Sequence, residues 1–193
     1  PEVQHFWWPR FRRMALAFAE EDALLRQDIV ARVVERRGSA VFTIAGREHT
    51  LRAQADRIDV TTTGKARFID YKTGAIPTAR QVEAGLNPQL TLEAAILRHG
   101  TFEGLEATDT DDLLYIRAGG GRPPVEVLSL AEKLTATDVV SLSELHFAGL
   151  KSLLSQYQAA GQGYVPRAVM HKEGDASDFD HLSRFAEWSR SGE

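Results

Sequence analysis

No cysteine occurs anywhere in the chain, which excludes disulfides, thiolate zinc sites and iron–sulfur clusters together. No run approaches the ~18 consecutive apolar residues of a membrane-spanning helix, and no signal peptide opens the sequence. The expected location is therefore the cytoplasm, with no membrane partner. Excess positive charge is missing too. The formal net charge is −4, whereas a dedicated nucleic-acid-binding domain is usually basic. The six histidines show neither H-x-x-x-H nor H-x-x-E-H spacing, so no zinc site is expected from them. The glycine cluster in "AGGGRPP" lies between two strand-like runs, with no lysine or helix after it, and reads as a loop rather than a phosphate cradle. Internal repeats and low-complexity linkers are absent. So is an initial methionine: the chain begins at Pro1, as a fragment of a longer protein would.

What is present suits one domain. A chain of 193 residues, 43% of them hydrophobic, is long enough to bury a real core. In "FWWPRFRRMALAFAEEDALLRQ", Trp7, Phe11, Met14, Phe18 and Leu25 recur at steps of three, four or seven. That spacing predicts an amphipathic helix with Arg10, Arg12 and Arg13 turned away from the core. From Asp28 the pattern changes to β-branched residues alternating with polar ones. Gly38 and Gly46 punctuate the run, which predicts strand, turn, strand, turn, strand. "TTTG" then turns the chain into the strand "ARFIDYK".

A short helix is predicted around Ala79–Ala84. A longer one follows in "NPQLTLEAAILRHG", with Asn87 as N-cap, Pro88 at the first helical position and Gly100 past its end. Residues 111–118 and 125–130 read as strands, and 141–161 as a long amphipathic helix. The tail is expected to dock through Phe179, Leu182, Phe185 and Trp188 and to fray at its end. The order predicts an α/β fold with a mixed central β-sheet flanked by helices.

The chemistry concentrates in "ADRIDVTTTGKARFIDYKTG". Asp70 and Lys72 are two apart on a strand and leave the same face, while Tyr71 leaves the other. A hairpin loop at Thr62–Gly64, with Gly64 left-handed, pairs residues symmetrically about Thr63 and sets Asp56 opposite Asp70. Carboxylates facing each other across about 5 Å repel and weaken a sheet. Lys72 offsets part of that repulsion, and a hard divalent cation held by carboxylate oxygens offsets it better.

With "PQLTLEAA" downstream, "ADRID" and "DYKTG" resemble the PD-(D/E)XK nuclease superfamily. Within it they resemble the RecB-like nuclease domains of AddB double-strand break repair proteins, in their alphaproteobacterial, cysteine-free form. The likeness runs from "FWWPRFRR" to "DFDHLSRFAEWS". It implies a restriction-endonuclease-like core and Mg²⁺-dependent DNA hydrolysis, with Mn²⁺ as a possible substitute, at DNA ends beside an AddA-type helicase–nuclease subunit. Asp56, Asp70 and the main-chain carbonyl of Tyr71 would bind the ion. Lys72 would hold water or a phosphate oxygen, and Gln89 would orient Lys72 or the nucleic-acid strand. Where the family carries a tyrosine four residues after that glutamine, this chain has Glu93, whose role the resemblance leaves open. The family's first motif, G-x-x-x-H-x-x-L-E on a helix, has no counterpart, and its place would lie upstream of Pro1. Residues 1–193 are thus expected to form a single nuclease-like domain without that first-motif helix.

Other residues carry weaker expectations. Glu35 could supply a third acid but reads better as a solvated strand-end charge. Asp59, on the opposite face from Asp56, is expected to be a structural partner of Arg57 or Lys65. Arg10, Arg12 and Arg13, beside Trp7 and Trp8, suit DNA phosphates and suit equally the wet face of a helix. The rival to a nuclease is a module of the same fold that binds DNA or docks a helicase without cutting. Convergence of Asp56, Asp70 and Lys72 discriminates the two.

Overall fold

The computed structural model describes residues 2–119 and 121–163, with side chains from Trp7 onward. The apolar anchors expected in the tail lie outside the described residues. Two compact units divide the chain, 1–152 and 153–193.

In the first unit, helix α1 (Glu2–Leu25) leads into a long antiparallel pair, β1 (Ile29–Ile44) and β2 (Arg47–Thr61), followed by β3 (Ala66–Lys72). Helices α2 (Ala79–Glu83) and α3 (Gln89–His99) then cross to β4 (Thr101–Phe102) and β5 (Thr110–Ala118). β6 (Val125–Ser129), α4 (Leu130–Lys133) and α5 (Val139–Gln158) complete the described chain. The sheet runs β4-β1-β2-β3-β5-β6. It is mixed, because β3 and β5 pair in parallel across the α2–α3 crossover while the other neighbours are antiparallel. This is the α/β sheet flanked by helices that the element order predicts.

Each face of the sheet has its own core. Ile58, Phe68, Leu113 and Tyr115 pack on one side with Leu90 and Leu97 of α3 and Val139 and Leu142 of α5. Ile69, Leu114, Ile116 and Val125 pack on the other with Ala17, Phe18 and Leu25 of α1. Alternation along β3 and β5 therefore sends successive side chains to different helices.

Three details differ from expectation. Gly38 is not a turn but lies within β1, paired with Ala53. A Cβ there would sit 2.7 Å from the ring of Phe102, so close packing explains the glycine. The N-terminal half of α1 leaves its apolar stripe uncovered: Trp7, Trp8 and Phe11 are 61%, 64% and 53% exposed. Asn87 does not cap α3; Pro88 occupies the N-cap position, and Asn87 accepts a 3.2 Å hydrogen bond from the Tyr115 hydroxyl instead. Thr78 and Gln81 supply the capping box of α2.

Candidate active site

The hairpin register is the symmetric one about Thr63, running from Val60↔Ala66 to Arg57↔Ile69. Gly64 closes the loop at φ 79°, a left-handed conformation that glycine adopts without steric cost. On β3, Phe68 and Asp70 point to the α3 side while Ile69 and Tyr71 point to α1, where the Tyr71 ring lies 5.8 Å from Phe18. Beyond the last ladder pair, Asp56 Oδ2 accepts the backbone N–H of Tyr71 at 3.1 Å. Asp56 thus binds the strand that carries Asp70 and Lys72.

Asp56 also sits where the long hairpin changes phase. Ile58 and Ala55 both enter the α3-side core although they are an odd number of residues apart, while Arg57 points to the α1 side. Across from Asp56, between the pairs Val34↔Arg57 and Arg36↔Ala55, Glu35 takes φ 51°. A non-glycine residue in that region is strained, and such irregularities re-aim side chains near functional sites. The Glu35 carboxylate is exposed and accepts a 2.7 Å bond from Gln54, which fits a solvated charge.

Helix α3 closes the site from above. Gln89, in its first turn, donates from Nε2 to Asp70 Oδ1 at 2.9 Å and to Glu93 Oε1 at 3.2 Å. The Oε1 of Gln89 accepts from Lys72 Nζ at 3.3 Å. Lys72 Nζ also donates to Asp70 Oδ1 at 2.9 Å and lies 2.9 Å from Oδ2. That second oxygen is buried and accepts no hydrogen bond of proper geometry. Asp70 is only 3% exposed, so a carboxylate oxygen there is desolvated without full compensation.

Two further groups face this cluster. Glu93, one turn along α3 and 4% exposed, has its carboxyl pushed up to about 7 by burial, reinforced by the charges of Asp70 and Asp56 against the opposing pull of Gln89 and Lys72. Tyr115 is the register partner of Asp70 and fully buried. Burial, then the neighbouring Asp70 and Glu93, raise its phenol and keep it neutral. Neither was assigned a role from the sequence. The helical step of four from Gln89 to Glu93 and the strand parity of Tyr115 are visible there, but their burial is not.

The donor set suits a hard cation: carboxylate oxygens, one of them buried without a well-aligned hydrogen bond. Among the described residues, however, no three His, Asp or Glu side chains form a ready cage for an ion. In kind, the carboxylate oxygens of Asp56 and Asp70 are donors that a divalent ion takes, while Lys72 is drawn onto Asp70.

Asp59 belongs elsewhere. It is fully buried on the α1 side and pairs with Arg57, as expected, and with Arg32 at 2.8 Å, whereas Lys65 takes no part in that cluster. Arg57 also donates to Asp22 of α1 at 2.6 Å and to the Tyr71 hydroxyl at 3.0 Å. On α1, Arg12 and Arg13 are exposed, and Arg10 lies half-buried with its guanidinium 5.7 Å from the centre of the Trp7 ring.

Comparison with known proteins matches residues 3–187 to the profile of the PD-(D/E)XK nuclease superfamily. An uncharacterized protein of Rickettsia bellii (strain RML369-C) is 28% identical over 179 residues, covering 88% of this chain and 21% of its own length. Uncharacterized protein RC0550 of Rickettsia conorii (strain ATCC VR-613 / Malish 7) is 28% identical over 194 residues, covering 92% of this chain and 23% of its own. The chain thus spans about a fifth of these relatives. Among solved structures, that of SSO0001 covers 72% of this chain and 58% of its own, at 12% identity and a TM-score of 0.39. No helix among the described residues is long and apolar enough to cross a membrane.

Proposed function

The chain belongs to the PD-(D/E)XK nuclease superfamily, and from that premise we propose that it hydrolyses phosphodiester bonds of DNA with the help of Mg²⁺ or Mn²⁺. The observation that carries this reading is Asp70: a buried carboxylate with one oxygen that accepts no well-aligned hydrogen bond, beside a lysine and a glutamine that point into the same space. Asp56, Asp70 and the main-chain carbonyl of Tyr71 would hold the ion. A divalent ion in such a place supplies a more acidic bound water and charge stabilisation at phosphorus. Lys72, a compact cation with three donors, would hold a phosphate oxygen or the attacking water. Gln89 orients Lys72. Arg10, Arg12 and Arg13 would contact phosphates outside the site, where each contact adds affinity without sequence preference.

The finer reading follows from the resemblance of "ADRID", "DYKTG" and "PQLTLEAA" to AddB-type domains. We place the activity at DNA ends during double-strand break repair, exonucleolytic in mode, in the cytoplasm, beside an AddA-type helicase–nuclease subunit. One observation favours a non-cutting alternative. Lys72 is drawn onto Asp70 and, among the described residues, no three acids form a cage, as a scaffold that binds DNA or docks a helicase could tolerate.

The deciding experiment pairs calorimetric titration of Mn²⁺ or Mg²⁺ with cleavage of end-labelled linear DNA, on the native chain and on Asp70→Asn. Saturable binding and cleavage, both lost in the variant, support hydrolysis. DNA binding without metal binding or cleavage would favour the scaffold.

A further inference from the structure

Gln89 is the hinge of the site, and its amide can sit in either of two orientations that differ only in which end carries the oxygen. Its partners remove the ambiguity. Asp70 is an acceptor and ionised Lys72 only a donor, and they are bonded to each other. The amide oxygen must therefore face Lys72 and the NH₂ group Asp70. That arrangement leaves the second N–H of Gln89 to be satisfied, and Glu93 Oε1 accepts it at 3.2 Å. Positions four apart on α3 place the two side chains on one face.

Stability does not explain an acid at position 93. Glu93 is buried at the edge of an apolar helix face formed by Leu90, Ala94 and Leu97. Among the described residues it has no ion pair: Lys72 reaches Asp70 and Gln89, and no Lys, Arg or His lies within bridging distance of Glu93. Burying a carboxyl without a cation is costly, and an apolar side chain there would avoid the cost. Among the described residues its hydrogen bond is with Gln89.

We propose that Glu93 is a positioning residue: by accepting the remaining N–H of Gln89 it pins in place an amide whose orientation Asp70 and Lys72 set, and it touches neither ion nor DNA. The proposal rests on the hydrolytic reading for its consequence, but its structural content can be tested without activity.

The test compares the native chain with Glu93→Leu, Glu93→Gln, Gln89→Ala and the double variant Gln89→Ala/Glu93→Leu, each first checked for folding by circular dichroism. NMR of the Gln89 side-chain NH₂ reads the lock directly. Its protons should be shifted and slow to exchange in the native chain, ordinary in Glu93→Leu, and largely restored in Glu93→Gln, whose carbonyl still accepts. Single-turnover cleavage should fall roughly 10-fold to 100-fold in Glu93→Leu, as for other supporting partners of a metal site. It should fall no further in the double variant than in Gln89→Ala, because both act through one amide.

Unchanged NH₂ signals in Glu93→Leu overturn the proposal, and so do additive rate losses. A Mn²⁺ affinity lowered by two orders of magnitude in both Glu93→Leu and Glu93→Gln overturns it too, by making Glu93 a ligand. Should Glu93→Leu fail to fold, loss of the NH₂ lock in folded Glu93→Gln, with its rate as low as that of Gln89→Ala, counts against it. If the native chain cuts no DNA, the hydrolytic reading fails, and the NMR comparison still decides the lock.

Discussion

Two clusters of charge lie back to back across β2 and β3, and they are built to opposite rules. On the α1 side, Asp22 and Asp59 meet Arg26, Arg32 and Arg57, two acids against three bases, with the Tyr71 hydroxyl as a further partner. Arg57 gains more from Asp59 and Tyr71 than burial takes away, so its charge is held firmly. On the α3 side, the charges of Asp70 and Asp56 act on Glu93, and Lys72 pairs with Asp70. One buried oxygen there has no hydrogen bond, and one acid is forced toward neutrality. A satisfied network holds strands and helix in register. An unsatisfied one holds chemical potential for a ligand that is positive, since only a cation or a proton relieves it.

The widest separation of the two should come from paired substitutions. Asp70→Asn removes charge from the unsatisfied side, so cleavage should fall by at least about 10³-fold, or about 4 kcal/mol, as when a group stabilising transition-state charge is lost. Its melting temperature in the absence of metal should hold or rise. Asp59→Ala should do the reverse in kind. It leaves Arg57 buried without its closest partner, a loss of about 3 kcal/mol of folding stability in urea titrations. The fraction that remains folded should still bind Mn²⁺. If Asp59→Ala abolishes metal binding while folded, the two clusters are one, and the contrast drawn between them is wrong.

Local chemistry explains which parts of this contrast could be read in the residues. The Gly64 loop fixes the hairpin register, strand alternation sends Asp70 and Lys72 to one face, and a spacing of two joins Arg57 to Asp59. All of these depend on neighbours a few positions away. What escaped depends on distant packing. Gly38 resembles a turn until Phe102 is seen beneath it. The exposed stripe on α1 has the same period as a buried one, because periodicity marks a face but not whether anything covers it. Glu93 looks like any polar helix position until α3 is laid on the sheet. The phase change at Asp56 has no signal at all in residue types. The site was therefore legible as a pair of acids with a lysine, and illegible as a charge imbalance.

The imbalance itself has a pH signature. Glu93 titrates near 7 in the folded protein against an ordinary 4.5, so the folded state holds this proton more tightly than the unfolded chain. Stability from this group is complete below about pH 4.5 and is lost as pH rises toward and through 7. Glu93→Gln, neutral throughout, should then be more stable than the native protein at pH 8 by up to about 3 kcal/mol, and no different near pH 4. Mn²⁺ should narrow the gap at pH 8 by stabilising the native acids. A constant difference across pH would mean that packing, not charge, separates the variants.

The smallest expected effect tests the residue where the clusters meet. Tyr71 offers its hydroxyl to Arg57 on one side and its backbone N–H to Asp56 on the other. Tyr71→Phe deletes only the first of these contacts. Arg57 keeps Asp22 and Asp59, and the ring can still pack near Phe18. The loss should be about 1 kcal/mol of stability, the net worth of one partly exposed hydrogen bond. Because the site uses the backbone of Tyr71 and not its hydroxyl, cleavage should change by less than about twofold. A larger fall in cleavage with stability intact would show that the balanced cluster does more than hold the strand: through Tyr71 it would set where Asp70 and Lys72 stand.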